Sequence, residues 1–305
     1  MSIFEYAFMQ RAFIVGILLG MTIPCIGTII VLKRLSMLGD TLSHTSLAGV
    51  AGGLVFHINP VVGATVTCIG AALGIEAIRK KIPQYAEIAI AIMLSVGIGT
   101  AAVLSGFVSN AANFNSFLFG SIVAISDTEL YMVITLSVIV LILFILFYKE
   151  LFYVTFDESS ARLVGIRING INFMFTILTA ITVSVATRIV GTLVISSIMV
   201  LPVACALQLK KGFRKTVLYS MLFGVVFHII GLFLAYYIGI KPGGTIILVG
   251  VFWFVLIGFI KLLTKQVKWI HQKEIKNDGH LYHFRFFRCR KNNFYTKFTE
   301  ANTEK

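Results

Sequence analysis

The apolar residues of this chain lie in long runs separated by short polar breaks. The runs are about 18–22 residues long, the length that a helix needs to cross the hydrocarbon core of a membrane. The pattern predicts an all-α integral membrane protein, a polytopic helical bundle of about nine transmembrane helices. Eight helices are the alternative, because Arg188 alone divides two of the runs. The predicted spans are 12–32, 36–56, 60–78, 86–106, 129–148, 169–187, 189–209, 215–239 and 243–263.

Basic residues are concentrated in every second loop between these spans. The loops at 33–34, 79–81, 149–168 and 210–215 carry twelve Lys and Arg residues, whereas the intervening loops carry only Arg188 and Lys241. Basic loops stay in the cytoplasm. The charge pattern therefore predicts an outer N-terminus and a cytoplasmic C-terminus.

The composition agrees with a protein whose main partner is the lipid bilayer. The 305 residues are 58% hydrophobic and only 13% charged, about half the charge of a soluble domain. The net charge of +13 does not indicate nucleic-acid binding, because eleven of the 26 basic residues follow Phe259. We expect a transmembrane domain over 1–264 and a basic, disordered cytoplasmic tail over 265–305. The four cysteines have no paired spacing, so neither a disulfide framework nor a zinc finger is indicated.

Two segments between the spans are expected not to cross the membrane. The outer segment, 107–128, contains an apolar stretch at 117–125 that is too short to span. In the inner segment, 149–168, Asp157 and Glu158 are typical of a helix start, and Gly165 is a natural stop. This pattern predicts a short cytoplasmic helix, at about 156–165, that is placed to contact a soluble partner.

The candidate chemistry is concentrated in a stretch of small and apolar residues around Asp40 and His44. Residues four apart share a helix face, and ionisable groups inside a membrane segment usually line a cavity or transport path. A carboxylate and an imidazole are also plausible ligands for a divalent transition metal. The alternative is that Asp40 caps a helix and His44 only packs in the core.

Other polar residues are weaker candidates for the metal path. Glu87 opens a span and is explained more readily as a favourable charge at a helix N-terminus than as a metal ligand. Asn115 and Ser116 offer neutral oxygens before the short outer stretch. Gly49 and Gly53 form a GxxxG pattern that favours close helix packing. The chain has no Walker A sequence, so any use of ATP must be by a partner.

Several ordered motifs resemble the permease subunits of the zinc and manganese ABC importers. The similarity covers roughly residues 8–263, and its DTLSH form and opening segment at 8–13 are most similar to the zinc branch. Ala48 stands where the manganese branch tends to carry a proline. The motifs are MLGDTLSHTSLAG at 37–49, FLFGSIVAIS at 117–126, FDE at 156–158, GTLVISSIMVLP at 191–202, the tyrosines 236–237 and GGTI at 243–246.

The resemblance implies a type II ABC importer permease in a prokaryotic plasma or inner membrane. Such a permease is a homodimer with cytoplasmic ABC ATPase subunits and an extracytoplasmic metal-binding protein. It is not itself an enzyme and has no permanently bound cofactor, since Zn²⁺ or Mn²⁺ is its transported substrate. Asp40 and His44 match the metal-site positions of the family. The residues that match its ATPase-coupling helix are Phe156, Asp157, Glu158, Arg162 and Gly165.

Three alternatives remain open at this point. A manganese importer is the first, because one carboxylate and one imidazole do not separate Mn²⁺ from Zn²⁺. The second, an intramembrane metalloenzyme, normally needs three protein ligands and a base. The third, a metal channel, needs neither a coupling helix nor an ATPase.

The alternation of basic loops can be tested directly. A reporter at Lys210 should be accessible from the cytoplasm, and one at Asn110 should be accessible from outside. Accessibility can be measured with an impermeant thiol reagent on single cysteines in intact cells. A cytoplasmic result at Asn110 would contradict the nine-span prediction.

Overall fold

The chain is helical throughout the part that its computed structural model describes, which comprises residues 6–108, 114, 117–118, 120 and 125–263. A 3-10 turn at Pro83–Tyr85 joins two of the helices. In chain order the helices are α1 (Ala7–Leu32), α2 (Leu38–Val55), α3 (Pro60–Lys81), α4 (Ala86–Ser105), α5 (Asp127–Leu146), α6 (Tyr148–Phe156), α7 (Glu158–Leu163), α8 (Ile168–Val190), α9 (Thr192–Gln208), α10 (Phe213–Ile238) and α11 (Pro242–Leu263).

Among the described residues, seven helices are long and apolar enough to cross a membrane: α1, α3, α4, α5, α8, α10 and α11. Two predicted spans, which correspond to α2 and α9, are not both long and apolar enough to be counted. In α2 the polar residues and glycines reduce the hydropathy, and α9 has 17 residues, fewer than a typical span. The structure supports a multi-pass helical membrane protein, whereas the count of nine spans is not confirmed.

The first helix is the most buried of these seven, and it packs along α10. A Cβ atom added to Gly224 of α10 would collide with the carbonyl oxygen of Gly20 in α1. Further along the same pair of helices, the hydroxyls of Thr28 and Ser220 lie 2.9 Å apart and share a hydrogen bond. Small residues let the two backbones approach closely, which is how helices associate where the solvent is lipid.

Glycines also place α2 directly against α3. The position that a Cβ atom on Gly49 would occupy is filled by the Gly63 carbonyl oxygen and the Thr67 hydroxyl. A Cβ atom on Gly53 would lie 2.9 Å from the Cα atom of Pro60. Both glycines of the GxxxG pattern therefore contact a helix of the same chain.

Side-chain hydrogen bonds fix α2 between its neighbours. Cys68 of α3 donates its thiol to the Leu42 carbonyl at 3.1 Å. On the other side, the Thr41 hydroxyl donates to the Ile90 carbonyl of α4 at 3.2 Å. Each bond joins a side chain to a backbone carbonyl of the neighbouring helix and places no charge in the bundle. Together they hold α2, the helix that carries Asp40 and His44.

The break between the two apolar runs near Arg188 is real, but its position differs from the predicted one. Arg188 lies in the last turn of α8, and its Nε atom is 2.8 Å from Oε1 of Glu129 in α5. The chain turns instead at Gly191, whose φ of +95° is one that residues with a side chain rarely adopt. The single charge therefore marks the end of the helix, and the glycine breaks it.

The inner segment at 149–168 contains more helix than the sequence predicted. Besides the short helix α7, the residues before Asp157 form α6, which buries Leu151 and Val154. The ring of Phe152 lies 5.3 Å from the ring of Phe213, at the start of α10. Apolar packing against α10 stabilises this helix, a tertiary effect that a loop assignment based on charge does not consider.

The outer segment at 107–128 falls mostly outside the described residues. Phe117, from its apolar stretch, is buried in a cluster with Leu47 and Val50 of α2. The Arg188 guanidinium lies 4.6 Å from the centre of the Phe117 ring, a cation–π distance. Phe117 therefore packs against the second half of α2.

Contacts divide the chain into two units, Met1–Phe254 and Val255–Lys305. All the sites considered below belong to the first unit. In the second, the described residues are the final turns of α11, up to Leu263. The tail predicted over 265–305 lies outside the described residues.

The contact between α2 and α3 predicts a difference between two equal substitutions. Gly49→Ala should lower the midpoint of thermal unfolding in detergent, because overpacking costs about 1–3 kcal/mol. Gly70→Ala adds the same methyl group on an exposed face of α3, where nothing lies within 4 Å. That control should leave the midpoint unchanged or raise it slightly, since alanine favours helix. Equal midpoints for the two variants would contradict the packing described.

Candidate functional site

Asp40 and His44 lie one helical turn apart at the start of α2. Nε2 of His44 is 3.7 Å from Oδ1 of Asp40, and the two side chains are 18% and 33% exposed. The N-cap position of α2 is Met37, which makes no side-chain capping bond. Asp40 therefore does not cap the helix, although a carboxylate in the first turn suits the helix dipole.

The distance between these two atoms fits a shared metal ion. Zinc lies about 2.0–2.2 Å from nitrogen and oxygen ligands, so two such atoms on a tetrahedral ion are about 3.4 Å apart, and wider angles allow up to about 4.2 Å. The observed 3.7 Å is within this limit. In the part of the chain that the structure describes, no cluster of three or more His, Cys, Asp or Glu residues could hold a metal. A single chain therefore offers a two-ligand site.

Two other helices touch the turns of α2 that carry this pair. A Cβ atom on Gly39 would lie 2.9 Å from the Met199 sulfur of α9. A Cβ atom on Gly97 of α4 would lie 3.0 Å from the backbone nitrogen of Thr45. Because Gly39 and Gly97 have no side chain, α9 and α4 approach the backbone of α2 beside Asp40 and His44.

Of the remaining metal-path candidates, the described residues include Glu87. Glu87 is exposed in the first turn of α4, and within the described ranges it has no ion pair or hydrogen bond to Asp40 or His44. Asn115 and Ser116 lie outside the described residues. His228 is buried in α10, where its Nδ1 atom is 2.8 Å from the Gly224 carbonyl oxygen. Asp40 and His44 are thus the two candidates that the structure places together.

The short helix α7, which the sequence predicted on the cytoplasmic side, begins directly after Asp157. The Asp157 carboxylate accepts a hydrogen bond from the Ser159 backbone N–H at 2.9 Å and further bonds from the hydroxyls of Ser159 and Ser160. These bonds lower the pKa of Asp157 to about 2, so the capping carboxylate stays charged at neutral pH. The helix ends at Leu163, and Gly165 follows with a φ of +83°.

The far end of α7 is strongly exposed. Leu163 is 88% exposed and Val164 is 66% exposed, and Phe156, just before the helix, is 58% exposed. Arg162 lies in the last turn. Large apolar side chains that project from a capped helix outside the bundle form a natural docking surface.

At the base of α7, Glu158 joins an ionic network that the sequence did not reveal. Its Oε1 atom is 3.3 Å from Nη1 of Arg79 and 3.9 Å from Nζ of Lys33. Asn172 donates to the same oxygen at 3.3 Å and accepts from Lys33 at 2.8 Å. Glu76 binds Arg79 through both carboxylate oxygens, at 2.8 and 2.9 Å. These five residues, hereafter the inner network, link α7 to α3, α8 and the residue after α1.

The inner network is partly shielded from water. The side chain of Lys33 is 10% exposed, and those of Glu76 and Arg79 are 12% and 17% exposed. Burial lowers the pKa of Lys33 to about 8, and the neighbouring Arg79 charge acts in the same direction. Two basic and two acidic side chains balance the charge of the network.

A small cavity of about 30 Å³ lies beside the inner network. Lys33, Glu76, Arg79 and Asn172 form its polar wall. Its apolar wall includes Leu35, Leu38, Ile75 and Phe175, and Leu38 is the first residue of α2. The cavity therefore lies next to the end of the helix that carries the Asp40–His44 pair.

Comparison with known proteins identifies the family. The ABC 3 transport family matches residues 5–261. The chain belongs to the ABC 3 transport family. This finding confirms the resemblance to metal-transporting ABC permeases that the motifs indicated, while the predicted zinc branch is not specifically supported.

Several proteins that are similar to this chain are named for metal transport. A "Probable metal transport system membrane protein" of Treponema pallidum is 36% identical over 81% of this chain and 93% of its own length. A manganese transport system membrane protein of Listeria monocytogenes is 31% identical over 81% of this chain and 89% of its own. The solved PsaBC structure from Streptococcus pneumoniae, in complex with a Fab, has a TM-score of 0.75 at 27% identity and covers 83% of this chain and 91% of that one.

The sequence did not indicate Glu76 and Asn172. Lys33 and Arg79 were interpreted only as charges that set the orientation of the chain in the membrane. One local signal was present, because Glu76 and Arg79 are three residues apart on a helix and such residues can pair. The contacts of Glu158 with Lys33, Arg79 and Asn172 join distant parts of the chain. No local pattern indicates them.

Proposed function

We propose that this chain is the membrane-spanning permease subunit of an ATP-driven importer of a divalent transition metal. The observation that carries the proposal is the Asp40–His44 pair, whose facing atoms lie 3.7 Å apart on α2. Membership of the ABC 3 transport family supports a transport role. Ionisable residues in a membrane bundle are costly unless they serve a pathway.

The small number of ligands suits transport better than storage. An ion that is held by one carboxylate and one imidazole is bound weakly enough to leave, which conduction requires. We propose that the chain forms a homodimer and that the metal passes along the subunit interface. There it would meet Asp40 and His44 from one or both subunits.

The helix α7 is the feature that supports an ATPase as a further partner of the permease. The chain has no Walker A sequence, so ATP hydrolysis is assigned to separate ABC ATPase subunits. Three exposed apolar residues lie at the ends of α7: Phe156, Leu163 and Val164. We propose that this surface docks on the ATPase. This arrangement uses the nine-span topology in a prokaryotic plasma or inner membrane, with the C-terminus in the cytoplasm and an extracytoplasmic protein that delivers the metal.

Mn²⁺ and Zn²⁺ are the two candidate substrates. Asp40 supplies the carboxylate that manganese favours, and His44 supplies the imidazole that suits zinc. The name of the Listeria relative favours manganese, whereas the motif at 37–49 predicted zinc. We propose Mn²⁺ as the first substrate to test and Zn²⁺ as the second.

Metal uptake by the reconstituted complex tests this function. The permease, its ATPase and its extracytoplasmic binding protein are placed in proteoliposomes, and manganese and zinc uptake is measured with and without ATP. ATP-dependent uptake of either ion supports the proposal, and the ratio of the two rates identifies the preferred ion. Uptake of neither ion would refute it, and equal uptake without ATP would favour the channel alternative.

Substitutions at the metal pair should reduce uptake without preventing assembly. Loss even of an outer partner of a metal ligand costs about 10–100-fold, so Asp40→Asn and His44→Ala should each lower ATP-dependent uptake at least tenfold. His57→Asn is the control, because His57 is exposed beyond the end of α2 and has a φ of +53° that asparagine tolerates. Near-normal uptake by both Asp40→Asn and His44→Ala would remove the pair from the metal path.

Charge reversal on α7 should disrupt ATPase docking. Asp157→Lys removes the cap that starts the helix and places a positive charge at its N-terminus, which the helix dipole disfavours. The variant should lose co-purification with the ATPase and keep the helical circular dichroism of the membrane domain. Asp157→Asn retains a capping oxygen and should assemble nearly as well as the wild type. Normal assembly of Asp157→Lys would argue against docking through α7.

A further inference from the structure

We propose that Glu158 is a positioning residue that links the cytoplasmic helix α7 rigidly to α3 through Arg79, so that movement of α7 is transmitted to the helix ends around the metal pair. This inference rests on the proposed function, since it assumes that α7 receives the movement of an ATPase. It adds a defined route from that helix into the membrane domain.

Three separate parts of the chain meet at one carboxylate oxygen of Glu158. Oε1 of Glu158 lies within 3.3 Å of Arg79 on α3 and of Asn172 on α8, and within 3.9 Å of Lys33 after α1. Glu158 is also the first residue of α7. A displacement of this helix therefore acts on all three parts through the same side chain.

The Arg79 guanidinium that contacts Glu158 is also held by a second carboxylate. Glu76 holds the guanidinium with two short hydrogen bonds from the preceding turn of α3. A two-point arginine–carboxylate contact has a defined geometry as well as strength. Arg79 therefore cannot absorb a displacement of Glu158 by changing rotamer freely, and the displacement passes to the backbone of α3.

Burial strengthens the same link. The Arg79 and Glu76 side chains are less than one fifth exposed, and Asn172 is buried. Charges that are shielded from water interact more strongly than pairs on an open surface. The Glu158 side chain is 44% exposed, so burial strengthens its contact with Arg79 from the Arg79 side only.

The cavity beside the inner network is also lined by the first residue of α2, so a movement of the network can reach that helix. Leu35 and Leu38 line this cavity together with the charged residues, and Leu38 lies two residues before Asp40. A shift of α3 or of the residue after α1 changes the shape of this cavity. Because this cavity of about 30 Å³ lies beside Leu38, the start of α2 can shift into it when α3 moves.

The competing explanation is that the inner network only stabilises α7. In that case, loss of Glu158 would reduce assembly with the ATPase, but each assembled complex would still import the normal amount of metal per ATP. A mechanical link predicts the opposite result: assembly persists, and ATP is hydrolysed without import.

The test compares ATP hydrolysed per metal ion imported in proteoliposomes that hold the complete complex. Glu158→Gln and Arg79→Gln should each raise this ratio at least about fivefold, the lower end of typical coupling between sites. The double variant should be no worse than the poorer single variant, because both changes break the same contact. Glu150→Gln is the matched control, since Glu150 lies at the start of α6 on the same side and has no ion pair among the described residues.

The outcomes separate the proposals. An unchanged ratio in both single variants, or effects that add in the double variant, would overturn the link while leaving the proposed function intact. No ATP-dependent import by the wild-type complex would overturn both. If Glu158→Gln does not assemble with the ATPase, Arg79→Gln decides alone, because Arg79 lies on α3 and away from the exposed end of α7.

Discussion

The absence of water in the bilayer governs where this chain carries charge. An unpaired ionic group is costly in hydrocarbon, and the ion pairs of the described residues accordingly lie near helix ends. Arg188 pairs with Glu129 where α8 ends and α5 begins, and Arg11 pairs with Asp127 on the same side of the bundle. Asp40 and His44 lie in the first two turns of α2, where their side chains are 33% and 18% exposed.

Close helix contacts allow the bundle to hold this pair without burying it completely. Gly49 removes the side chain that would separate α2 from α3, and Gly39 does the same for α9. The Thr41 hydroxyl and the Cys68 thiol each donate a hydrogen bond to a backbone carbonyl of the neighbouring helix. A helix of modest hydropathy is thereby held by its neighbours rather than by contact with lipid.

The sequence predicted the features that depend on local composition. Long apolar runs indicated the membrane class, and the four-residue spacing placed Asp40 and His44 on one face of α2. Asp157 was identified as the residue that precedes a short helix, because its side chain caps locally. Such features depend on residues within one or two helical turns.

Features that depend on residues far apart in the chain were not predictable in the same way. The helix α6 forms where a loop was expected, because Phe213 provides packing from another part of the chain. Lys33 and Asn172 are 139 positions apart, yet they are hydrogen-bonded in the inner network. No periodicity indicates such a pairing, since it arises only when α1, α3 and α8 have packed together.

The turn at Gly191 has a consequence for the thickness of the molecule. Without it, α8 and α9 would continue as one helix from 168 to 208, roughly 60 Å long at 1.5 Å per residue. That length is about twice the hydrocarbon thickness of a bilayer, so a continuous rod would project far into the water on one side. A residue whose side chain is a hydrogen atom lets the chain change direction instead. The stretch that follows can then remain within the membrane and reach Gly39 through Met199.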